Sequence, residues 1–454
     1  MPEQAADTHA TEWPRPSLAW TVIFILTLVL AVAYVERQVI SLLVPQIKDA
    51  LRISDTRISL LQGAAFSLFY SSFGLVLGRA ADSLSRRNVL FCAVLVSGVM
   101  TCLCGLSSSY NELFLSRVGV GIGEAALGPA ALSLIADCFP PRRLPFAIGV
   151  YHLGSFIGIS SAYLLGGELL RAAAFFAGSG TLGLESLAPW QLVFVLVGLP
   201  GVVVALPLIL VKEPRRQHGA GLQAGDSSAG WREVLHYMLA RWRIYAPLFG
   251  AFTLTGLSGF GIVSWVPTML VRSFGWTTGQ SGVVYGAIFL VFASGASVIG
   301  GYLCTRVIEK GRLQNALRVS MWNAVLFVPA ALLATLGPNV FVVMAGLVLS
   351  TVFLTATSGL PSALVQILTP NWCRGRVMAV YYLILTLGGL GLGPTVVALL
   401  TDYVFRNEHD LRYSLATLAV IAMPLAVCLM ALASRAIGKD AATTVSSRPG
   451  KEIH

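Results

Sequence analysis

The chain is laid out as long apolar runs separated by short polar segments. Runs of about twenty apolar residues cross a bilayer as helices. Twelve can be marked, at about 18–46, 56–79, 88–107, 112–137, 144–169, 188–211, 245–271, 279–304, 315–336, 339–368, 375–402 and 411–435. None alternates apolar and polar positions over about ten residues, as outer-membrane strands do. The pattern predicts an all-α integral membrane protein. The first run holds Glu36 and Arg37 and is too long for a cleaved leader, so it is expected to be a true first span.

Composition supports this reading. Of 454 residues, 56% are hydrophobic and only 11% charged, with a mean hydropathy of +0.76. A soluble domain carries about 25% charged residues, so soluble enzymes, disordered regulators and secreted disulfide scaffolds are excluded. The seven cysteines form no CxxC or Cys/His pattern with metal-ligand spacing and read as packing residues. The net charge of +10 is explained by topology. With both termini cytoplasmic, 22 of the 31 Lys and Arg fall in cytoplasmic segments and 7 outside; the other two, Arg37 and Arg117, lie within spans. By the positive-inside rule both termini face the cytoplasm, and no nucleic acid is needed to account for the basic residues.

The longest cytoplasmic segment divides the spans six and six. The expected organisation is a cytoplasmic tail at 1–17, a six-helix bundle at 18–211, a linker at 212–244, a second bundle at 245–435 and a cytoplasmic tail at 436–454. The linker is Gly- and Ser-rich at 219–230. It then turns amphipathic, with Trp231, Leu235, Leu239 and Trp242 recurring among basic residues, as in a helix lying on the inner leaflet. The halves repeat in parallel. Val44-Pro45 and Val266-Pro267 are each expected to end a helix; Pro129 matches Pro361, Gly78 matches Gly301, and Tyr151 matches Tyr382. Parallel six-helix repeats are the mark of major facilitator transporters, with the substrate site between the halves.

Ionisable residues at membrane depth are costly and functional by default. Four qualify, Glu36, Arg37, Arg117 and Glu124, all in the first half. Glu36 and Glu124 are the candidate proton-coupling carboxyls, because burial and a movable guanidinium shift a carboxyl in opposite directions. Glu36 and Arg37 are neighbours, about 100° apart on a helix, so they cannot point the same way. A contact between Glu36 and Arg117 is expected from their depth. Arg37 and Arg117 could tune the carboxyls or grip an anion. His152 beside Tyr151 could titrate near neutrality. Gly119, Gly121, Gly123, Gly149, Gly154 and Gly158 allow close helix approach. No metal cluster or nucleophile–base arrangement is seen at membrane depth, so no enzymatic role is expected.

The segment Gly78-Arg79-Ala80-Ala81-Asp82-Ser83-Leu84-Ser85-Arg86-Arg87 resembles the major facilitator signature G-x-L-x-D-R-x-G-R-R, departing from it at Ala80, Ser83 and Ser85. Tyr34-Val35-Glu36-Arg37-Gln38, the run Leu61–Phe66, Gly121–Ala125, Ile135–Pro141 and Lys212–Arg215 resemble bacterial members of the spinster-like branch. The resemblance implies a twelve-helix, two-bundle transporter that moves amphipathic, lipid-like or anionic molecules by proton-coupled alternating access. A proton-linked organic-anion or drug transporter on the same fold, or a sensor that transports nothing, are the alternatives. The resemblance maps the family's first-helix acid, adjacent Arg and fourth-helix Glu onto Glu36, Arg37 and Glu124. Glu36 stands where the family usually has Asp. Tyr34, Tyr151 and His152 join Arg37 and Arg117 as substrate or charge-tuning candidates. Gly78, Asp82, Arg86, Arg87 and Asp137 are expected to form a cytoplasmic gate in which Arg86 pairs with Asp137. Protons, membrane lipids and a small amphipathic substrate are the expected partners, with no cofactor beyond the proton gradient, in a monomer of the cell membrane.

Overall fold

The computed structural model describes the chain except residues 1–12, 141–142, 179–186, 212, 215–229, 310–312, 371 and 447–454; within helices, the side chains at 75, 78–83, 145, 178, 309, 313 and 439–446 are also outside the described residues. The described residues form helices and no strand. In chain order they are α1 (Pro16–Leu42), α2 (Asp55–Ser59, Leu60–Ala64 and Ala65–Ser83), α3 (Arg86–Leu106), α4 (Tyr110–Glu124 and Leu127–Cys138), α5 (Leu144–Gly178) and α6 (Pro189–Leu210). A linker helix (Trp231–Ala240) leads to α7 (Trp242–Phe274). Then come α8 (Thr278–Ile288, Phe289–Ala293 and Ser294–Glu309), α9 (Leu313–Leu336), α10 (Val340–Thr355 and Leu360–Leu368), α11 (Arg374 to Phe405 in four segments) and α12 (Leu411–Ser446). Among the described residues, eleven of these are long and apolar enough to cross a membrane; α2, interrupted by a π turn at Leu60–Ala64, is the twelfth element of the two-bundle arrangement. The last helix runs through 435 to Ser446.

Small residues set the tightest packing. A Cβ at Gly154 would stand 2.5 Å from the Thr27 carbonyl oxygen, and one at Gly158 would collide with that of Ala31, so α1 and α5 touch backbone to backbone. Gly149 meets nothing within 4 Å and has no such role.

The two repeat prolines behave differently. α1 stops at Leu42, and Pro45 lies in the first turn of a new short helix, Val44–Leu51, where a missing N–H costs nothing. The expectation that Val266-Pro267 also ends a helix is corrected: α7 continues through Pro267 to Phe274. The register of the fifth and eleventh spans is corrected too. α5 starts at Leu144 and α11 at Arg374, which pairs Tyr151 with Tyr381, both buried, and His152 with Tyr382. The two aromatic dyads have nearly the same geometry, with ring centroids 5.2 Å apart at 59° and 5.3 Å apart at 53°.

The linker helix buries Val234 against α7 and the start of α11, and Tyr237 stacks edge-on against Trp372 at 5.6 Å. Its next flank presents Trp231, Leu235 and Leu239, all exposed. A helix with one side on protein and the adjoining side apolar and bare fits the membrane interface.

The halves meet firmly at the end away from the termini and linker, here the distal end. Asp55 accepts from Arg272 Nη1 and Nη2 at 2.6 and 2.8 Å and from Lys48 Nζ at 2.9 Å. Lys48 also reaches Glu408 at 2.5 Å. Thr56 donates from its N–H and its hydroxyl to Asp402, and Gln46 donates to Thr278. Along one face of α5 the exposure rises toward the proximal end. Tyr163 is fully buried against Tyr285, Phe156 is half-buried near Phe289, and His152 is exposed. These residues share a helical face by spacing, so the halves part toward the proximal end.

Candidate functional site

The four membrane charges resolve into three separate arrangements. Arg37 on α1 pairs with Glu124, the last residue of the first segment of α4, through Nη2 and Oε2. Its guanidinium lies over the rings of Phe66 at 4.2 Å, Tyr34 at 4.6 Å and Tyr70 at 5.5 Å. Cation–π contact suits a guanidinium taken from water. Glu124 is fully buried, while the Arg37 side chain keeps 13% of its surface. Neither group is saturated: Arg37 Nε and Glu124 Oε1 have no hydrogen-bond partner among the described residues.

Glu36 points the other way, as its 100° offset requires. Its Oε2 accepts from the Ser97 hydroxyl at 2.6 Å and the Thr101 hydroxyl at 3.2 Å, both on α3. Its Oε1 occupies space that a Cβ at Gly201 of α6 would fill. No ion pair to Glu36 is seen among the described residues. The expected meeting of Glu36 with Arg117 occurs through the main chain instead. Arg117, fully buried, donates to the carbonyls of Glu36 at 3.2 Å, Arg37 at 3.3 Å and Leu61 at 3.3 Å. Leu61 lies in the π turn of α2, so this one side chain ties α1, α2 and α4 together behind Arg37.

Tyr34 is half-buried beside Arg37, and Tyr151 is buried near α1. His152 and Tyr382, the repeat counterparts, are both exposed, and Tyr382 shares a hydrogen bond of 3.0 Å with Ser362. They supply polar groups to the proximal, parted side of the interface. Among the described residues, no carboxylate or guanidinium of the second half accompanies them at this depth.

At the proximal end, Arg86 of α3 donates to Asp137 of α4 through Nη1 and to Glu213 through Nε at 3.1 Å. Glu213 also accepts from the Arg86 N–H at 2.9 Å and from Ser85 Oγ. A carboxylate is favoured at a helix N-terminus. Burial raises the Glu213 carboxyl, but the bonds from Ser85 and Arg86 prevail and hold it below its usual value. Arg87 turns to Asn88 and the Ile209 carbonyl. The Asp82 side chain and the surroundings of Gly78 lie outside the described residues.

Several participants carry no individual signal in the sequence. Ser97 and Thr101 are ordinary small polar residues in an apolar span. Phe66 and Tyr70 become an arginine cage only when α2 packs beside α1. Asp55, Lys48, Arg272 and Glu408 read as loop charges.

The family model of the Major Facilitator Superfamily matches residues 26–390, and the chain belongs to that superfamily. It is a multi-pass membrane transporter and not an enzyme. An MFS-type efflux pump of Mycolicibacterium smegmatis is 29% identical over 406 residues, covering 88% of this chain and 89% of that protein. The hexuronate transporter of Bacillus subtilis is 25% identical over 415 residues, covering 88% and 93%. The crystal structure of a bacterial homologue of the human lysosomal transporter Spinster, inward-facing and unoccupied, superposes with a TM-score of 0.79 at 26% identity, over 94% of this chain and 99% of that one.

Proposed function

We propose that the protein is a proton-coupled secondary transporter of an organic anion, working by alternating access in the cell membrane with its proximal end in the cytoplasm. On that reading the structure is inward-facing. The observation that carries it is the Arg37–Glu124 pair: a caged guanidinium with an unused donor, neutralised by one buried carboxylate with an unused acceptor. Protonating Glu124 removes the partner and leaves Arg37 free to hold a substrate carboxylate or phosphate bidentately. Losing that proton restores the pair and expels the anion. Charge thus passes between a proton and a substrate at one point. Glu36, the next residue on α1, faces the other way into a hydroxyl-lined pocket of α3 and α6, and is a second, separate candidate for carrying a proton.

The hexuronate transporter among the relatives supports a small carboxylate. The amphipathic, lipid-like anion that the spinster-like motifs imply is the second reading, and the uncharged wall of the second half suits an apolar tail. Thermal stabilisation of the purified protein separates these. A ligand that binds the folded state raises its melting temperature with concentration. A hexuronate, an aromatic carboxylate and a lysophospholipid should be compared on wild type and Arg37→Gln. One class should stabilise wild type and lose its effect in Arg37→Gln. Equal stabilisation of both proteins would remove Arg37 from the binding site.

A further inference from the structure

Pro267 lies inside α7 and has no N–H. In a regular helix the amide at 267 would bond the carbonyl of Val263, four residues earlier. That carbonyl is therefore left without its helical partner, deep in an apolar segment where Val263 and Val266 are buried. A buried carbonyl is ordinarily paired. Here its partner comes from the other half of the molecule. The hydroxyl of Tyr163, on α5, donates to Val263 O. The Tyr163 oxygen in turn accepts from Gln38 Nε2 at 2.6 Å, and Gln38 directly follows Arg37 on α1. Tyr163 is fully buried and packs on Tyr285 of α8, with ring centroids 5.3 Å apart.

We propose that Tyr163 is a positioning residue for transport: its hydroxyl caps the carbonyl that Pro267 releases only when the distal end is closed, and so sets how strongly the inward-facing arrangement is favoured. The inference rests on the alternating-access reading. α5 and α7 belong to different bundles, so separating the halves at the distal end breaks the bond. The Val263 carbonyl then stands bare on the wall of the distal opening and exchanges a protein donor for a hydroxyl from solvent. No sequence-local element replaces it, because residue 267 has nothing to donate. Gln38 fixes the Tyr163 hydroxyl so that its proton points at Val263, which links the latch to the residue beside the charged site.

The proposal makes a prediction that ordinary packing does not. Restoring an N–H at 267 gives Val263 O a partner in every conformation, and Tyr163 then has nothing to add. The test is a double-mutant cycle of Tyr163→Phe and Pro267→Ala. The readout is the ratio of distal-closed to distal-open molecules, from the distance between spin labels at Glu168→Cys and Asn407→Cys, both exposed positions, in a background without the exposed Cys92 and Cys428. Melting temperatures confirm that each variant is folded. Tyr163→Phe should lower the closed-to-open ratio by about fivefold, as expected for one neutral hydrogen bond. In the Pro267→Ala background the same change should move it by less than about twofold. Pro267→Ala alone should raise the open population, which carries the test should Tyr163→Phe not fold. An equal effect of Tyr163→Phe in both backgrounds, or none in the parent, overturns the latch while leaving alternating access intact. A single distance in every variant, with no second population, overturns alternating access and the latch with it.

Discussion

Asp55 and Arg272 meet across the two halves in a paired contact, both guanidinium Nη atoms reaching the carboxylate at 2.6 and 2.8 Å. Asp55 is fully buried and Lys48 supports it from the same side. Burial alone would raise the Asp55 carboxyl, but Arg272 and Lys48 outweigh it and hold it below its ordinary value of 3.8. A carboxyl with a depressed folded value contributes stability that is complete above its ordinary value and is lost as pH falls through the depressed one. The distal closure should therefore be insensitive to pH between 5 and 8 (a range well above the carboxylate values). It should loosen only in strong acid. Asp55→Asn should loosen it at neutral pH, leaving the half-buried Arg272 with only the more distant Glu408 carboxylate at 3.6 Å, at a cost of about 2 kcal/mol for the lost charge-assisted bonds. Accessibility of a cysteine at Gln46 to a polar maleimide, rising more than tenfold in the variant, checks this.

The Glu36 pocket is closed by a glycine. A Cβ at Gly201 would collide with Glu36 Oε1. Gly201→Ala should lower stability by about 1–3 kcal/mol, the usual cost of overpacking. Glu36→Ala removes the obstructing carboxyl, so the double variant should be more stable than the sum of the two single losses predicts. Melting curves of the four proteins measure the difference; strict additivity would mean that Glu36 and Gly201 do not share the space.

Glu213 joins the end of α6 to the start of α3. Glu213→Gln should lower stability at neutral pH by about 1 kcal/mol, the net worth of a partly exposed charge-assisted contact. Because its carboxyl is held below the ordinary 4.5, the difference between wild type and variant should be full above that pH and vanish as acid protonates the wild-type group. Thermal melts at pH 7 and pH 3.5 test the sign.

The linker helix should read the charge of the leaflet it lies on. Arg232 and Arg243 flank the exposed Trp231, Leu235, Leu239 and Trp242. Nanodiscs containing phosphatidylglycerol should raise the melting temperature over pure phosphatidylcholine, and Arg232→Gln with Arg243→Gln should remove most of the gain. Each arginine near an anionic surface is worth about 1 kcal/mol. The gain should shrink with added salt.

Much of this architecture is legible in the sequence because membrane helices obey few rules. Apolar run length marks the spans. The break at Pro45 is visible, and the concentration of Glu36, Arg37, Arg117 and Glu124 in one half points to the site. What the sequence conceals is rotation and long-range partnership. A 100° step sends Glu36 to Ser97 and Thr101 and Arg37 to Glu124, but nothing in the spans says which neighbour waits on each side. Pro267 looks like Pro45 and yet lies inside a continuous helix, and the carbonyl it frees accepts from Tyr163, a hundred residues away. Tyr382 looks like the repeat of Tyr151 by its distance from Arg374, whereas the helix starts make it the counterpart of His152. Asp55 and Arg272 lie 217 positions apart, and no local pattern announces their pairing.

The central claim is that protonation of Glu124 releases Arg37 to hold the anion, so that proton and anion are bound and released together. The most direct measurement is proton flux into proteoliposomes on addition of the stabilising anion, with wild type beside Glu124→Gln. The account predicts that the anion drives proton movement in wild type, and that Glu124→Gln still binds and exchanges the anion but moves no protons. Substrate-driven proton flux persisting at the wild-type rate in Glu124→Gln would contradict it.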